Sequence, residues 1–485
     1  MILNFRRLRE DSAAEFVLLK RQNNRCCKMK NLLIRPIGVA HNICSAHIAV
    51  KPLTCSMSSF ANSDASQTSS APALAPQASP LATLTVSGKQ FERDSYTNIT
   101  DGIIKHMSRK LHQQKGHPLY LIKECIKSYF YKKYIGRTGN PVFSVYDNQD
   151  PIVTTYQNFD SLLVPRNHVS RQKSDSYYLN SQYMLRAHTT AHQSDLISSG
   201  LDNFLIIGDV YRRDTVDSTH YPVFHQCDAV RLQTQHELFP EEYGLHVFEK
   251  RPDRRTDDKQ AEHTVDAVRI LSFQLKSTLQ DLAKALFGAD VEYRWVEAYF
   301  PFTHPSWELE IKHNGEWLEL LGCGIMEHTI VKKAGAGDRI GWAFGLGLER
   351  VAMRVYDIPD IRLFWSTDSA FLNQFAVDDP FTPIKYKAVS VYPRCINDIS
   401  FWIPPERDFS QNDFFDVVRS VGGDIIEEVS LVDQFVHPKK KLTSHCYRIT
   451  YRHMERTLTK NEVNEVHVEI GRRATEMLGI TVRVK

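Results

Sequence analysis

The sequence predicts an α+β fold: an antiparallel sheet flanked by helices, followed by a smaller domain with a ferredoxin-like order of elements. Three observations lead to this prediction. Short hairpins join the strands, and the clearest is His313-Asn-Gly-Glu316, a turn typical of antiparallel pairs. Residues 260–287 repeat apolar side chains at helical spacing. The C-terminal part follows a βαββαβ order.

The larger domain is predicted over residues 86–370. Because hairpins connect its strands, its sheet is expected to be antiparallel rather than a doubly wound parallel one. The segments that carry this expectation are a helix at 117–136, a buried strand at 201–212, a long helix at 260–287, strands at 295–302, 308–313 and 317–321, and a strand-to-helix passage at 340–355.

The smaller domain is predicted over residues 387–485, after a linker at 371–386 that contains Asp378-Asp379-Pro380. Its order of elements is the ferredoxin-like one. The expected elements are a strand at 387–392, a helix at 410–420, strands at 425–435 and 444–452, a helix at 460–478 and a strand at 480–484.

The N-terminal part differs in composition from the rest of the chain. Residues 1–55 are basic and hold no acid after Glu15, which is typical of an organelle transit peptide. A disordered basic tail, or sequence upstream of a start at Met29, is the alternative. Residues 56–85 are rich in Ser, Ala and Pro and are expected to be a disordered linker. Mitochondrial targeting is the simpler interpretation.

Composition excludes several classes of protein. The 485 residues are 42% hydrophobic and carry a net charge of +3, as expected for a globular chain. Residues 91–485 are slightly acidic, so a nucleic-acid partner must be held by local basic patches. A membrane span is not expected, because charges and a proline interrupt the most apolar stretch, 31–53. Nine cysteines without a CxxC pair indicate neither a disulfide framework nor a zinc ribbon.

The first segment whose residues suit ligand binding is Tyr211-Arg212-Arg213-Asp214, at the end of a buried strand. It is followed by 220–226 (HYPVFHQ). An arginine at a strand end can bind a phosphate through two parallel N–H groups, and Phe224 can stack on a purine. An ion pair of the arginine with a neighbouring aspartate is the structural alternative.

The second segment is 341–350, GWAFGLGLER, where glycines let backbone approach a ligand closely. Arg350 then falls in the first turn of a helix. A tight turn without any ligand is the alternative for the glycines taken alone.

The third segment is Tyr299-Phe300-Pro301-Phe302. In an extended segment Phe300 and Phe302 point to the same side, so their rings can hold a third ring between or against them. Ordinary core packing is the alternative.

Taken together, these motifs resemble a known family. Residues 212–224 resemble motif 2 of the class II aminoacyl-tRNA synthetases, and 345–350 resemble motif 3. HTTAHQ at 188–193, FHQ at 224–226 and the FxHPxW pattern that starts at Phe302 are similar to phenylalanyl-tRNA synthetases. One chain with both a catalytic core and a ferredoxin-like domain resembles their single-chain, mitochondrial type.

The resemblance implies ATP-dependent activation of phenylalanine to its adenylate, then transfer to the terminal 2′-OH of tRNA(Phe), with ATP and Mg²⁺ required. It implies that Arg212 contacts the α-phosphate and the substrate carboxylate, that His220 contacts the outer phosphates, and that Arg350 lies across the far face of adenine near the γ-phosphate. Glu319 would bind ATP or its Mg²⁺. The complete set implied around ATP is Arg212, Thr219, His220, Tyr221, Phe224, Glu319, Glu349 and Arg350.

The resemblance also implies a phenylalanine pocket. Phe300 and Phe302 would hold the ring, Ala343 and Phe344 would form the floor, and the remaining residues would surround the ammonium and carboxylate groups. Thr190 and Asp228 stand where the family commonly has Ser and Glu, and Cys227 where an apolar residue is common. The remaining residues of this set are His188, Thr190, Ala191, His192, Gln193, Gln226, Cys227 and Asp228.

The C-terminal domain is expected to bind the anticodon. Between His437 and Lys460 basic residues greatly outnumber acids, and Tyr447 and Tyr451 interleave with them. Such a pattern suits unstacked bases and phosphates, although a solvated basic face is the alternative. The residues expected to bind tRNA are Lys439, Lys440, Lys441, Arg448, Arg452 and Arg456.

Two other functions stay open at this point: an inactive relative that serves as an RNA-binding module, and a ligase that adenylates another acid without tRNA. Retained Arg212, Glu349 and Arg350 disfavour the first, and the basic C-terminal domain disfavours the second. Motif 1 is matched only loosely, by the helix at 117–136, so a monomer is expected. The expected location is the mitochondrial matrix.

Overall fold

The computed structural model describes residues 83–240, 244–388, 392–405, 409–438 and 441–483. Its main sheet has seven strands in the order β3-β6-β7-β11-β10-β9-β8. Only β3 and β6 are parallel, and the other pairs are antiparallel. These strands are β3 Ser144–Tyr146, β6 Asn203–Tyr211, β7 Val223–Gln233, β8 Tyr293–Phe300, β9 Thr303–His313, β10 Glu316–Met326 and β11 Ile340–Gly347.

The hairpin between β9 and β10 forms where Asn314-Gly315 predicts it. Both residues have positive φ, 52° and 87°, as a two-residue turn of this kind needs. Two small pairs of strands lie outside the main sheet: β1 Thr83–Val86 with β2 Lys89–Glu92, and β4 Ile152–Thr154 with β5 Tyr183–Leu185.

Two long helices cover the sheet. The helix α2 begins at Pro118 behind the cap His117 and ends at Lys133. The helix α6 begins at Val265, later than predicted, because Thr264 caps it by accepting from the Ala267 amide. The helices of the larger domain are α1 Asp101–His106, α2 Pro118–Lys133, α3 Thr155–Asn158, α4 Gln193–Ser198, α5 Gln235–Leu238, α6 Val265–Phe287, α7 His328–Lys333, α8 Leu348–Val355 and α9 Ser369–Leu372.

The two faces of the main sheet have different surroundings: one packs in the main core, and the other carries the candidate site. Alternate strand residues such as Cys227, Leu309 and Trp342 belong to the main core, whose helical side includes Leu271 and Leu275 of α6. Their neighbours in sequence point to the other face. That second face is where the glycines of β10 and β11 and the side chains of the candidate site lie.

The smaller domain has its own core and a four-stranded antiparallel sheet of order β13-β14-β12-β15. This arrangement confirms the ferredoxin-like prediction. The strand predicted at 387–392 is not formed in the described part of that range, and the first strand begins at Cys395. The elements are β12 Cys395–Ile403, α10 Gln411–Gly422, β13 Ile426–Val436, β14 Thr443–Tyr451, α11 Lys460–Leu478 and β15 Thr481–Val482.

The loop between β6 and β7 joins the two parts. Arg213 is buried and donates to Asp416 over 2.6 Å and to Asp413 over 2.8 Å. Val216 packs into the core of the smaller domain, and Tyr221 donates to Asp424. The smaller domain therefore fixes the shape of this loop.

The predicted boundaries need small corrections. Residues 83–85, assigned to the linker, form most of β1. The predicted linker at 371–386 is packed, since Phe371 and Phe375 are buried in the main core. The transit peptide and nearly all of the 56–85 linker lie outside the described residues. Within the described ranges, no helix combines the length and the apolar character needed to cross a membrane.

Candidate active site

A cavity of about 520 Å³ opens on the second face of the main sheet. It collects residues from β7, β8, β10 and β11, from the segment that directly follows β6, and from segments far away in sequence. The predicted residues that line it are His188, Thr190, Gln193, Arg212, Gln226, Asp228, Phe300, Phe302, Glu319, Ala343 and Phe344.

One end of the cavity is aromatic. The rings of Phe300 and Phe302 have centroids 5.9 Å apart and planes only 10° from parallel. Gly322 lies under Phe300, since a Cβ at that position would come within 2.7 Å of the ring. The two rings therefore form a flat apolar wall that a third ring can pack against.

Unpaired polar atoms lie beside this wall. His188 Nδ1, Gln193 Nε2 and Gln226 Oε1 are buried and have no hydrogen-bond partner within the described part of the chain. Burial lowers the pKa of His188 to about 3, so the ring is neutral at physiological pH. A buried polar group normally has a partner, and these three groups offer donors and acceptors to a small polar ligand.

Asp228 is the buried carboxylate of the cavity. Thr190 Oγ1 donates to it over 2.5 Å, and Gly345 leaves room for it, because a Cβ there would lie 2.7 Å from Oδ1. Burial raises the pKa of Asp228 to about 6, against the opposing hydrogen bond of Thr190 and the charge of Arg212. A cation bound at this carboxylate would stabilise its ionised form.

Two guanidinium groups converge at the other end. Arg212 is held by a 2.8 Å bond from Nε to the Ala187 carbonyl, and it stacks 5.1 Å from the centre of the Phe224 ring. Arg350 donates to the Glu319 carbonyl over 3.0 Å and lies 3.2 Å from its carboxylate. Burial lowers the pKa of Arg212, and the charge of Arg350 adds to this effect. The paired cations suit a phosphate ligand.

The carboxylates next to Arg350 fit a phosphate-bound Mg²⁺. Glu319 lies opposite Glu310 in the strand register, and burial together with Glu319 raises the pKa of Glu308. Mg²⁺ is commonly held by one or two carboxylates plus phosphate oxygens. The donor set around Glu319 meets that requirement.

Glu349 occupies a different place from the one the sequence suggested. Its carboxylate is buried and accepts from the backbone N–H of His225 over 2.8 Å and from the ring Nδ1 over 2.7 Å. Glu349 is not among the residues that line the cavity, and its expected contact with ATP stays a prediction. Glu349 instead ties the first turn of α8, which carries Arg350, to the strand β7.

The β6–β7 loop holds three further predicted residues, which do not line the cavity. Thr219 and His220 both bond to Asp217, and that bond raises the pKa of His220. Tyr221 is engaged between Asp424 and His106. In this arrangement Tyr221 supports the loop and the smaller domain rather than a ligand.

Three residues predicted around phenylalanine contact protein and do not line the cavity. Ala191 is buried in a separate cluster, and His192 accepts from Arg186 over 2.9 Å. Cys227 is fully buried in the main core, on the face opposite Asp228. Phe344 lines the cavity and also packs in the main core, so its place at the pocket floor stays a prediction.

One wall of the cavity was missed from the sequence. It is a loop with a short 3₁₀ helix, Val169–Arg171, and no local pattern in it indicates a ligand. The residues that it brings to the cavity are Val164, His168, Val169, Ser170, Asp175 and Ser176.

The predicted tRNA-binding residues have mixed surroundings. Arg448 pairs with Asp398, Arg452 with Glu427 and Arg456 with Glu462, so part of their charge is compensated. Lys441 lies in the β13–β14 hairpin, and Lys439 and Lys440 lie outside the described residues.

Tyr447 and Tyr451 are fully buried in the core of the smaller domain. The expectation that they stack on unpaired bases is wrong. Both tyrosines belong to the inward face of β14, whose outward face carries Arg448.

Family models match both parts of the chain. Residues 104–248 and 256–375 match the class II core domain (F) of tRNA synthetases, and residues 390–483 match the ferredoxin-fold anticodon binding domain. The fold and its cavity therefore define a class II aminoacyl-tRNA synthetase, as the motifs predicted.

Curated relatives narrow this class. Phenylalanine–tRNA ligase, mitochondrial, of Mus musculus is 55% identical over 84% of this chain and 90% of its own. The probable mitochondrial phenylalanine–tRNA ligase of Drosophila melanogaster is 52% identical over 86% of this chain and 95% of its own length. The chloroplastic/mitochondrial phenylalanine–tRNA ligase of Arabidopsis thaliana is 45% identical over 81% of this chain and 84% of its own length. The chain belongs to the mitochondrial phenylalanine–tRNA ligase family.

Proposed function

We propose that this chain activates phenylalanine with ATP and transfers it to tRNA(Phe) in the mitochondrial matrix, working as a monomer. The observation that carries this proposal is the cavity itself. An aromatic wall, three unpaired polar atoms and a buried carboxylate line it, together with Arg212 and with Glu319, to which Arg350 is bonded. These features match an aromatic amino acid and a nucleoside triphosphate.

Phenylalanine fits with its ring against Phe300 and Phe302. Its ammonium group would donate to Asp228, and Gln193 and Gln226 have the free polar atoms to bind the remaining polar groups. His188, being neutral, can donate or accept without adding a charge.

In the activation step, a carboxylate oxygen of phenylalanine bonds to the α-phosphorus of ATP, and the bond to the bridging oxygen breaks, so pyrophosphate leaves. Arg212 would stabilise the charge on the α-phosphate, and Arg350 the outer phosphates. Glu319 would hold Mg²⁺, which when bound neutralises phosphate charge. Holding the two substrates in line supplies much of the acceleration.

In the transfer step, the 2′-OH of the terminal ribose attacks the carbonyl carbon of the adenylate and AMP leaves. The basic residues of the smaller domain, Lys439 to Lys441 above all, would hold the tRNA. Because Arg448, Arg452 and Arg456 are already paired, their contribution to phosphate binding is expected to be smaller.

ATP–pyrophosphate exchange with each of the twenty amino acids tests the proposal. Phenylalanine should support exchange, and Arg212→Gln should abolish it. A matched control is Arg137→Gln, a solvent-exposed arginine of the larger domain outside the cavity. Absence of exchange with phenylalanine in the unaltered chain, while tRNA binds, would instead favour an RNA-binding module.

A second measurement separates the ligase from an adenylating enzyme that uses no tRNA. Exchange with phenylalanine but no charging of tRNA(Phe) would favour that alternative. Light scattering or sedimentation checks the monomer, and fractionation of mitochondria checks the matrix location.

A further inference from the structure

The helix that carries Arg350 begins without a side-chain cap. Gly347 precedes the first turn of α8, and glycine has no side chain with which to accept from the free amides of that turn. Arg350 is exposed and bonds to Glu319 on β10. Leu348 and Val351 anchor the body of the helix in the main core. The exact place of the arginine therefore depends on what else holds the first turn of α8.

Glu349 provides the contact that holds this turn. The strand β11 ends at Gly347, opposite Gln226 of β7, so among the described strands the next residue of β7, His225, has no partner on that side. The Glu349 carboxylate takes the place of the missing strand. It accepts from the His225 backbone N–H over 2.8 Å and from the ring Nδ1 over 2.7 Å. Two donors on one carboxylate fix its orientation as well as its distance.

Neighbouring rings hold the His225 side chain. The residue is fully buried, with the centre of the Trp365 ring 6.0 Å away and that of the His112 ring 5.1 Å away. His112 Nε2 bonds to the Asp147 carbonyl over 2.9 Å. Burial lowers the pKa of His112 to about 3, so its neutral ring places no like charge beside His225. These neighbours fix the orientation in which Nδ1 points at Glu349.

His225 lies behind the cavity. On β7 it alternates with Phe224 and Gln226, which belong to the opposite face of the sheet. The residues that line the cavity include Gln226 but not His225. A side chain in this place can influence ATP only through Glu349 and the turn that carries Arg350.

We propose that His225 is a positioning residue for the activation step: its two bonds to Glu349 set the place of Arg350 and thereby the affinity for ATP. This rests on the proposed function, in which Arg350 binds the outer phosphates. Arg212 is held separately, by the Ala187 carbonyl. Loss of the His225 side chain should therefore weaken the binding of ATP and spare that of phenylalanine.

ATP–pyrophosphate exchange by the full chain tests the proposal with two substitutions at one position. His225→Gln moves the side-chain donor away from the place of Nδ1 and should raise the KM for ATP about tenfold, the effect of one hydrogen bond to a charged group. The KM for phenylalanine should not change. His225→Asn keeps an amide N–H close to the place of Nδ1 and should restore most of the affinity for ATP.

The matched control is His263→Gln. His263 is also a buried histidine of the larger domain and does not line the cavity, so its replacement should leave the KM for ATP unchanged. The same rise in this control would overturn the proposal, as would equal changes in both KM values for His225→Gln. An asparagine variant as impaired as the glutamine variant would overturn it too.

Arg350→Gln separates positioning from general damage to the fold. If His225 acts through Arg350, His225→Gln should add nothing to the KM for ATP in a chain that already carries Arg350→Gln. A further increase in the double variant would overturn the proposal. Where His225→Gln does not fold, as judged by urea unfolding, Glu349→Asp takes its place in the same cycle, because it shortens the carboxylate and leaves His225 in the core.

Calorimetric titration with ATP keeps the two proposals apart. If the unaltered chain shows no exchange with phenylalanine, the proposed function fails, and ATP affinity still tests His225. Weaker binding in His225→Gln than in His263→Gln then supports its role, and equal binding overturns it. If exchange by the unaltered chain is normal and His225→Gln leaves the KM for ATP unchanged, only the His225 proposal fails.

Discussion

Replacing Asp228 with asparagine should change both the stability of the chain and its use of phenylalanine. The carboxylate is only 5% exposed, and burial raises its pKa to about 6 from an ordinary 3.8. Between about pH 4 and pH 6 the folded chain therefore keeps a proton that the unfolded chain has lost. Stability falls as the pH rises through this window and is level above it.

The magnitude follows from the two pKa values. The difference between them corresponds to about 3 kcal/mol of free energy. This is the largest amount by which ionisation of Asp228 lowers the free energy of unfolding of the ligand-free enzyme above pH 6. Asp228→Asn removes that cost, so its free energy of unfolding at pH 7.5 should exceed that of the unaltered chain by about 1–3 kcal/mol. Urea unfolding at pH 4.5 and pH 7.5 measures the difference.

The same change should impair substrate binding. An ionised Asp228 attracts the substrate ammonium group, and a hydrogen bond between charged groups contributes about 1.5–3 kcal/mol. The KM for phenylalanine in exchange should thus rise about tenfold to a hundredfold in Asp228→Asn. In the unaltered chain this KM should rise about tenfold for each pH unit below 6, and the variant should lack this dependence.

A surface carboxylate provides the control. Asp195→Asn alters an aspartate of α4 that bonds to Gln157 at the surface and should leave both measurements unchanged. The reasoning about Asp228 is refuted if Asp228→Asn keeps the pH dependence of the unaltered chain, or if it loses stability at pH 7.5 while phenylalanine still binds with normal KM.

Three further predictions concern the same cavity. Gly322→Ala should raise the KM for phenylalanine about tenfold and leave that for ATP unchanged, because the new methyl group would displace the Phe300 ring, 2.7 Å away; equal changes in both would contradict this. Glu349→Gln should raise the KM for ATP more than that for phenylalanine, since one of its two bonds to His225 weakens and α8 shifts; loss of stability alone, measured by urea unfolding, would argue against it. Tyrosine should support slow but measurable exchange, because an apolar pocket rejects an added hydroxyl weakly; a rate equal to background would contradict this.

Local patterns predicted most of the fold. Hairpin dipeptides, caps and periodic apolar residues act over a few positions, and they located most strands of the two sheets. The strands β7 (Val223–Gln233) and β12 (Cys395–Ile403) were not predicted. The Asn314-Gly315 turn is an example, because its backbone conformation depends on those two residues alone. The strand expected at 387–392 is not formed at the described residues of that range, because strand pairing is decided by residues distant in sequence and not by a local apolar alternation.

The rule that successive strand residues face opposite sides could have improved the predicted site. On β7, Phe224, Gln226 and Asp228 share one face, so Cys227 had to lie on the other. The same alternation on β14 places Tyr447 and Tyr451 together on the inward face. The wall contributed by the 164–176 loop could not be predicted in this way, because a loop has no period and its position depends on long-range contacts.

The adjacent arginines at the end of β6 show why a motif alone does not assign roles. Both residues border the cavity, but their guanidinium groups have different partners: Arg212 bonds to the Ala187 carbonyl, whereas Arg213 forms ion pairs with Asp413 and Asp416 of α10. A buried guanidinium needs such partners. The carboxylates that pair with Arg213 belong to the smaller domain. Which arginine can bind a phosphate is therefore settled by the contact between the two domains, about two hundred residues further along the chain.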